Sequence, residues 1–419
     1  MTSSQRAYVW VWLPNQTSPV TAGLVERDDR DRDRYRFAYG RRYLAREDAI
    51  SLFPRELPLR PGSQEQADGT LPSCLRDASP DAWGRRVIIN RLTGKTGARA
   101  DQADFNEMVY LLESGSDRIG ALDFQLSPTE YQPREYQDAS LAELQTASEY
   151  VEAGEPLPPA LDQAIQHGSS IGGARPKALL NDRDRKLVAK FSSSTDLYSV
   201  VKAEFVAMRL ASLVGLDVAP VEMTRSLGKD VLLVERFDRM KTVDGWSRRI
   251  VLSALTLLGL DEMTARYASY EDLGHLIRAE FDQPGSTLQE LFGRIVFNIL
   301  CGNTDDHARN HAAFWDGETY RLTPAYDICP QSRTGGEATQ AMLLHDQERR
   351  SQLVHCLRAA EGLGLTQMQA KEIIGRQLAT IRERWESVCD EADLSKVDRD
   401  YLWGRQFLNP FALEGYRES

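Results

Sequence analysis

The sequence changes its periodicity near Phe237, and that change constrains the fold more than any other feature. Before it, apolar and β-branched residues come in short runs, among them Tyr8-Val9-Trp10-Val11-Trp12-Leu13, Tyr35-Arg36-Phe37-Ala38-Tyr39 and Lys186-Leu187-Val188-Ala189-Lys190-Phe191, which read as strands. After it, amphipathic helical stretches dominate at Leu252 to Leu260, Tyr270 to Phe281, Leu288 to Leu300 and Ala370 to Cys389. Helices interrupt the earlier part from Leu75 to Leu92, where Asp77 or Ser79 is the expected N-cap before Pro80, from Leu141 to Val151, and from about Ser199 to Gly215. A strand-rich half followed by a helix-rich half, with a cleft between them, suits an α+β, bilobal, nucleotide-handling enzyme. The Pro-, Gln-, Glu- and Tyr-rich stretch from Ser127 to Pro159 is the candidate boundary within the first half.

Charge narrows the function classes. The 419 residues carry 51 Lys and Arg against 62 Asp and Glu, a formal net of -11, which opposes non-specific attraction to a polyanion. Contact with DNA is expected only locally or through a partner. The mixed-sign cluster from Glu26 to Arg34 cancels its own far field and reads as a solvated loop or hairpin edge. No run reaches the roughly 18–20 apolar residues of a membrane span, and the first residues lack the apolar stretch of a secretory signal. A cytoplasmic protein without membrane contact is the expectation. Cys74, Cys301, Cys329, Cys356 and Cys389 are scattered and odd in number, so buried free thiols are expected rather than disulfides or a zinc ribbon.

Three segments could handle a nucleotide. In Gly168-Ser169-Ser170-Ile171-Gly172-Gly173-Ala174-Arg175-Pro176-Lys177, glycines let backbone N–H groups approach phosphate oxygens while Lys177 adds a point charge; an ordinary glycine turn is the other reading. Lys190 sits at an inner-looking strand position, and Glu204 lies about 200° around the following helix from Lys202. Lys202 and Arg209 therefore define the wet face, and Glu204 points inward. A buried carboxylate needs a cation unless it is protonated or the helix is rotated from this orientation, and Lys190 is the nearest candidate in sequence, either as an ordinary buried ion pair or as a lysine held ready for phosphates. The strand Asp230-Val231-Leu232-Leu233-Val234-Glu235-Arg236-Phe237 ends abruptly in charge, where Glu235 and Phe237 could present backbone groups to an adenine edge.

The chemistry is concentrated further on. Gly302-Asn303-Thr304-Asp305-Asp306-His307-Ala308-Arg309-Asn310 is followed by two short strand patterns flanking Asp316-Gly317 and then by Ala325-Tyr326-Asp327. Asp-Gly is a strong hairpin signal. Folding about it places position 327 opposite 306, so that Asp305, Asn310 and Asp327 converge. Asp-x-x-x-x-Asn, a hairpin and another Asp form the layout by which kinases hold a base and magnesium. A transition-metal site using His307 and His311 with Asp305, Asp306 and Asp327 is a second reading, and a structural turn a third.

Together these segments, with Val234-Glu235-Arg236-Phe237-Asp238-Arg239 and the N-terminal Asp77-Ala78-Ser79-Pro80-Asp81-Ala82-Trp83-Gly84-Arg85, closely resemble the HipA family of serine/threonine kinase toxins. The resemblance covers nearly the whole chain and is tightest from Gly168 to Asp327. It implies a β-rich N-terminal lobe and an all-helical C-terminal lobe, distantly like eukaryotic protein kinases, arranged as a HipA-like N-terminal part over 1–135, a kinase N-lobe over 136–238 and a helical C-lobe over 239–419. It implies ATP and Mg2+ as cofactors, Asp305 as catalytic base, Asn310 and Asp327 as magnesium ligands, and Lys190 as the lysine contacting phosphate. Gly172, Gly173, Ala174, Arg175, Pro176 and Lys177 would form the phosphate loop and Glu235, Arg236 and Phe237 the adenine hinge, with His307, Ala308, Arg309 and Tyr326 near the nucleotide. Ser170, or its neighbour Ser169, would be autophosphorylated, expelling the loop by repulsion. The implied partners are a small DNA-binding antitoxin and a protein substrate, in known relatives an aminoacyl-tRNA synthetase. A kinase-fold binding module acting mainly as a co-repressor is the competing class.

Overall fold

The computed structural model describes residues 4–28, 34–94, 105–134, 139–155, 157–158, 161, 175–182, 184–193, 196–333 and 335–418. Ser169, Ser170, Gly172, Gly173 and Ala174 lie outside these. The chain forms two units that interleave along the sequence: Met1–Ser193 with Arg225–Leu252 and Trp315–Glu318, and Ser194–Thr224 with Ser253–Phe314 and Thr319–Ser419.

The first unit opens with an antiparallel sheet in the order β4-β3-β2-β1-β5, built from β1 (Arg6–Val11), β2 (Val20–Arg27), β3 (Tyr35–Tyr39), β4 (Ser63–Gln64) and β5 (Leu122–Gln125). Its helices are α1 (Arg41–Leu44), α2 (Ser73–Asp77), α3 (Ala82–Thr93), α4 (Glu107–Glu113) and α5 (Leu141–Ala153). Asp81 is the N-cap residue of α3, not Asp77 or Ser79: the Pro80 carbonyl accepts from Arg85 Nε at 2.8 Å, and the Ser79 hydroxyl donates to Glu107. α5 starts with a reciprocal capping box between Ser140 and Glu143.

A second antiparallel ladder joins β6 (Lys177–Asp182), β7 (Arg185–Phe191) and β9 (Lys229–Glu235). The chain reaches β9 from β8 (Val221–Ser226) through Leu227 and Gly228, both at positive φ, as a tight two-residue hairpin requires. Period-two alternation divides this ladder into two faces. Ala178, Leu187, Ala189, Phe191, Val231 and Leu233 pack with Leu144 of α5 in one buried cluster. The same unit contains the hairpin of β10 (Arg239–Thr242) and β11 (Gly245–Arg248); β12 (Ile250–Ser253) follows.

The second unit is mostly helical: α6 (Val200–Leu213), α7 (Ala254–Leu257), α8 (Tyr270–Glu280), α9 (Pro284–Cys301), α10 (Leu353–Gly362), α11 (Gln367–Glu391), α12 (Lys396–Leu402) and α13 (Pro410–Leu413). It is not wholly helical, because the hairpin of β13 (Ala312–Trp315) and β14 (Tyr320–Leu322) follows α9. α9 is its axis, with Leu291, Phe292, Ile295, Val296, Phe297, Ile299 and Leu300 almost inaccessible; each such side chain contributes about 1.5–3 kcal/mol by burial. α8, α10 and α11 pack against it. Glu204 is buried on α6 as expected, but so is Lys202. Its ammonium donates to the Asp393 carbonyl at 2.6 Å, and α11 packs along α6, so the face assigned to water is covered. Arg209 pairs with Glu391 at 2.8 Å. Among the described residues, no helix is long and apolar enough to cross a membrane.

Candidate active site

In the first unit, the second face of the β6-β7-β9 ladder carries the expected phosphate-binding residues. Lys177 lies directly opposite Lys190, and Lys190 opposite Leu232. Residues paired across antiparallel strands share a face with their Cβ atoms about 5 Å apart, so both ammonium groups start from one row. Leu179, Val188 and Val234 form the next row. Two like charges in direct opposition disfavour the ladder unless negative charge lies close, and both lysines are buried, at 5% and 9% exposure. Trp83, from the N-terminal motif, donates its indole N–H to the Lys177 carbonyl at 2.9 Å, and the Phe191 amide donates to the Pro176 carbonyl. Arg175 is partly buried beside them. The support that Trp83 gives to Lys177 was not legible in the sequence, since 94 positions separate them.

The expected hinge divides. The Arg236 amide donates to the Lys186 carbonyl at 2.9 Å, continuing the ladder. Its guanidinium is buried between Asp117 Oδ1 at 2.9 Å and both oxygens of Asp238. Amide and side chain are thus engaged within the unit, leaving Glu235 and Phe237 as the hinge candidates. Asp238 also accepts from the Gly120 amide at 2.7 Å and from Arg239, which reaches Asp117 as well. Burial pushes the Asp117 and Asp238 carboxyls up, but Arg236 and Arg239 outweigh it and hold both below the usual carboxylate range.

In the second unit, Gly302 ends α9 at φ 72°, and the loop it launches holds Asp305 to Asn310. The Asn310 side chain donates to the Asp305 carbonyl at 3.2 Å, the Asn310 amide to the His307 carbonyl, and the His307 amide to the Asp305 carbonyl. The Asp305 carboxylate is at the surface, whereas Asp306 and Asn310 are buried. Desolvation raises the Asp305 pKa; His307 opposes this, and the Asp327 and Asp306 carboxylates add to the rise. Asp327 is thus close enough to repel it.

Asp327 has φ 59°, in the left-handed region that Asp tolerates better than most residues. Its loop is tied down nearby: the Ala325 amide donates to the Asp217 carbonyl, and buried Arg294 of α9 bonds the Asp217 and Thr323 carbonyls. The Tyr326 hydroxyl donates to the Arg309 carbonyl at 2.6 Å, Arg309 pairs with Glu262, and Ala308 accepts from the Leu255 amide. The hairpin register differs from expectation. Thr323 donates to Ala312, so the turn runs over Asp316–Thr319, and the hairpin pairing ends before Asp327, with Ala325 bridging Val218 instead. The Glu318 amide bonds the Asp316 side chain, which widens the two-residue turn.

The transition-metal reading fails on geometry. His311 Nε2 lies 2.9 Å from Asp306 Oδ2 in a buried pair, and among the described residues no group of three His, Cys, Asp or Glu could hold a metal. A hard cation held by Asn310 and Asp327 is a different matter. The Asn310 amide nitrogen is committed to the Asp305 carbonyl, which leaves its oxygen as a donor, and the Asp305–Asp327 repulsion is of the kind a divalent cation relieves.

A β ladder with paired lysines and a helical unit with an Asp-Asn-Asp set define a kinase-like class. Residues 169–385 match the HipA-like C-terminal domain and residues 11–125 the HipA N-terminal domain; the chain belongs to the HipA family. It is 29% identical to the Sinorhizobium fredii protein Y4mE over 317 residues, covering 70% of this chain and 71% of that one. It is 26% identical to the serine/threonine-protein kinase toxin HipA of Shewanella oneidensis over 225 residues, 47% of this chain and 52% of the toxin. A solved Shewanella oneidensis toxin–antitoxin structure, of HipA, HipB and operator DNA, shares the fold with a TM-score of 0.70 at 20% identity, over 97% of this chain and 99% of that one.

Proposed function

We propose that this protein is an ATP-dependent serine/threonine protein kinase, the toxin of a toxin–antitoxin pair, acting in the cytoplasm on a protein of the translation apparatus such as an aminoacyl-tRNA synthetase. The observation that carries this reading is the grouping of Asp305, Asn310 and Asp327, with Asp305 made more basic by desolvation and by its neighbours' charge. Asp305 would orient and accept the proton of a substrate hydroxyl. Lys190 and Lys177 would neutralise phosphate oxygens, and Glu235 and Phe237 would meet the adenine edge. Asn310 and Asp327 would hold Mg2+, which when bound supplies charge neutralisation of the phosphates. Ser170 or Ser169 would receive phosphate in self-inactivation. The parts over 1–135, 136–238 and 239–419 would serve as N-terminal module, N-lobe and C-lobe.

The test is incubation of the full chain with Mg-ATP, followed by mass spectrometry. Phosphate on Ser169 or Ser170 in the wild type and none in Asp305→Ala is the expected result; equal phosphorylation of both proteins would overturn the assignment of the base. A second reading, a co-repressor bound to a DNA-binding antitoxin, is favoured by the near-complete structural coverage of a chain solved with HipB and operator DNA. Wild-type protein that takes up no phosphate would leave this reading in its place.

A further inference from the structure

Asp306 is almost fully buried, yet one of its oxygens, Oδ2, accepts three hydrogen bonds: from the Tyr270 hydroxyl, from Asn298 Nδ2 at 2.8 Å and from His311 Nε2 at 2.9 Å. The donors come from three elements: α8, α9 and the residue that precedes β13. The Tyr270 and His311 rings meet edge to face at 5.7 Å. Asn298 also accepts from Asn303 Nδ2 at 3.0 Å, and the Asn303 amide donates to the Asn298 carbonyl, so the same helical turn grips the start of the loop. A buried carboxylate with so many donors is a fixed point: removing one partner leaves a desolvated charge under-satisfied. That fixed point is the residue adjoining Asp305 and four before Asn310.

We infer that Asp306, clamped by Tyr270, Asn298 and His311, is a positioning residue for phosphoryl transfer, which sets where Asp305 stands without touching nucleotide or substrate. The inference rests on the kinase reading above. Its physical content is preorganisation: misplacing a reacting group by about 1 Å can lower the rate about 100-fold, whereas nucleotide binding by the lysine-bearing ladder is untouched. The clamp therefore acts chiefly on kcat, with a smaller effect on KM for ATP through Asn310. Asn at 306 can still accept at one oxygen, so it should preserve much of what Ala abolishes.

The experiment uses the full chain and labelled ATP with Mg2+, measuring self-phosphorylation at varied ATP for wild type, Asp306→Ala, Asp306→Asn, Tyr270→Phe and Asp305→Ala, with circular dichroism at the assay temperature. Tyr270→Phe keeps two of the three bonds and guards against a misfolded Asp306→Ala. The expected result is kcat down about 100-fold in Asp306→Ala and about tenfold in Tyr270→Phe and Asp306→Asn, with KM for ATP within about twofold throughout. Folded Tyr270→Phe and Asp306→Asn as fast as wild type, beside a dead Asp305→Ala, would overturn this inference and spare the kinase reading. A rise in KM at constant kcat would overturn it too. An inactive wild type would overturn both.

Discussion

Arg236 and Asp117 meet at 2.9 Å across 119 positions of sequence, and their contact joins the end of β9 to the segment just before β5. Asp117 also accepts from Arg239 at 2.8 Å, while Asp238 closes the cluster on the opposite side. The N-terminal part of the chain thereby holds the backbone that follows the last ladder strand.

Asp117→Asn should therefore destabilise the first unit by about 3–5 kcal/mol, the usual effect of removing one partner from a buried ionic cluster. Urea unfolding followed by tryptophan fluorescence measures it. A midpoint equal to wild type would show that the cluster contributes nothing.

Acid should act on the same cluster. Asp117 and Asp238 both have folded pKa values held below the ordinary range. Their stabilisation is complete above the unfolded value of about 4 and is lost as pH falls from there through the folded values. Stability should be flat from about pH 7 to 5 and drop below about pH 4, with a shallower drop in Asp238→Asn. An equal slope in that variant would contradict the assignment.

Gly302→Ala should be costly at a position far from any strand. Gly302 has φ 72°, and an added Cβ would stand 2.7 Å from the Gln406 carbonyl oxygen. The left-handed backbone alone costs about 1–2 kcal/mol for Ala, and the clash adds to it. Thermal unfolding should show the loss, and phosphate transfer should fall further than stability predicts, because Gly302 launches the loop bearing Asp305.

Lys190→Gln should keep the fold and raise KM for ATP by at least about tenfold, equivalent to about 1.4 kcal/mol. A destabilised variant with unchanged KM would make Lys190 a structural residue.

Much of the chain could be read from local pattern. The strands around Trp10, Phe37 and Val188, the helix from Tyr270 and the helix ending at Cys301 all follow from period and punctuation. The contact of the Asn310 side chain with the Asp305 carbonyl lies within one short loop that the sequence marks out. What escaped was long-range. Nothing near Arg236 announces Asp117, nothing near Lys177 announces Trp83, and two of the three partners of Asp306, Tyr270 and Asn298, come from helices whose faces looked merely apolar. Lys202 misled for the same reason: a helical wheel marks the polar side and is silent about a second layer such as the chain at Asp393. The hairpin register slipped because the Asp316 side chain captures the Glu318 amide, an interaction that the Asp-Gly pair does not reveal.

The interleaving of the two units bears on how the protein is made. β7 waits for its neighbour β9 until residue 235 has left the ribosome, after α6 of the other unit has already emerged. A nascent chain stalled before that point exposes one flank of a ladder, and one stalled before Asp327 lacks a member of the acidic set. Under the proposed reading, a nascent chain could transfer no phosphate until Asp327 had been made and folded into place.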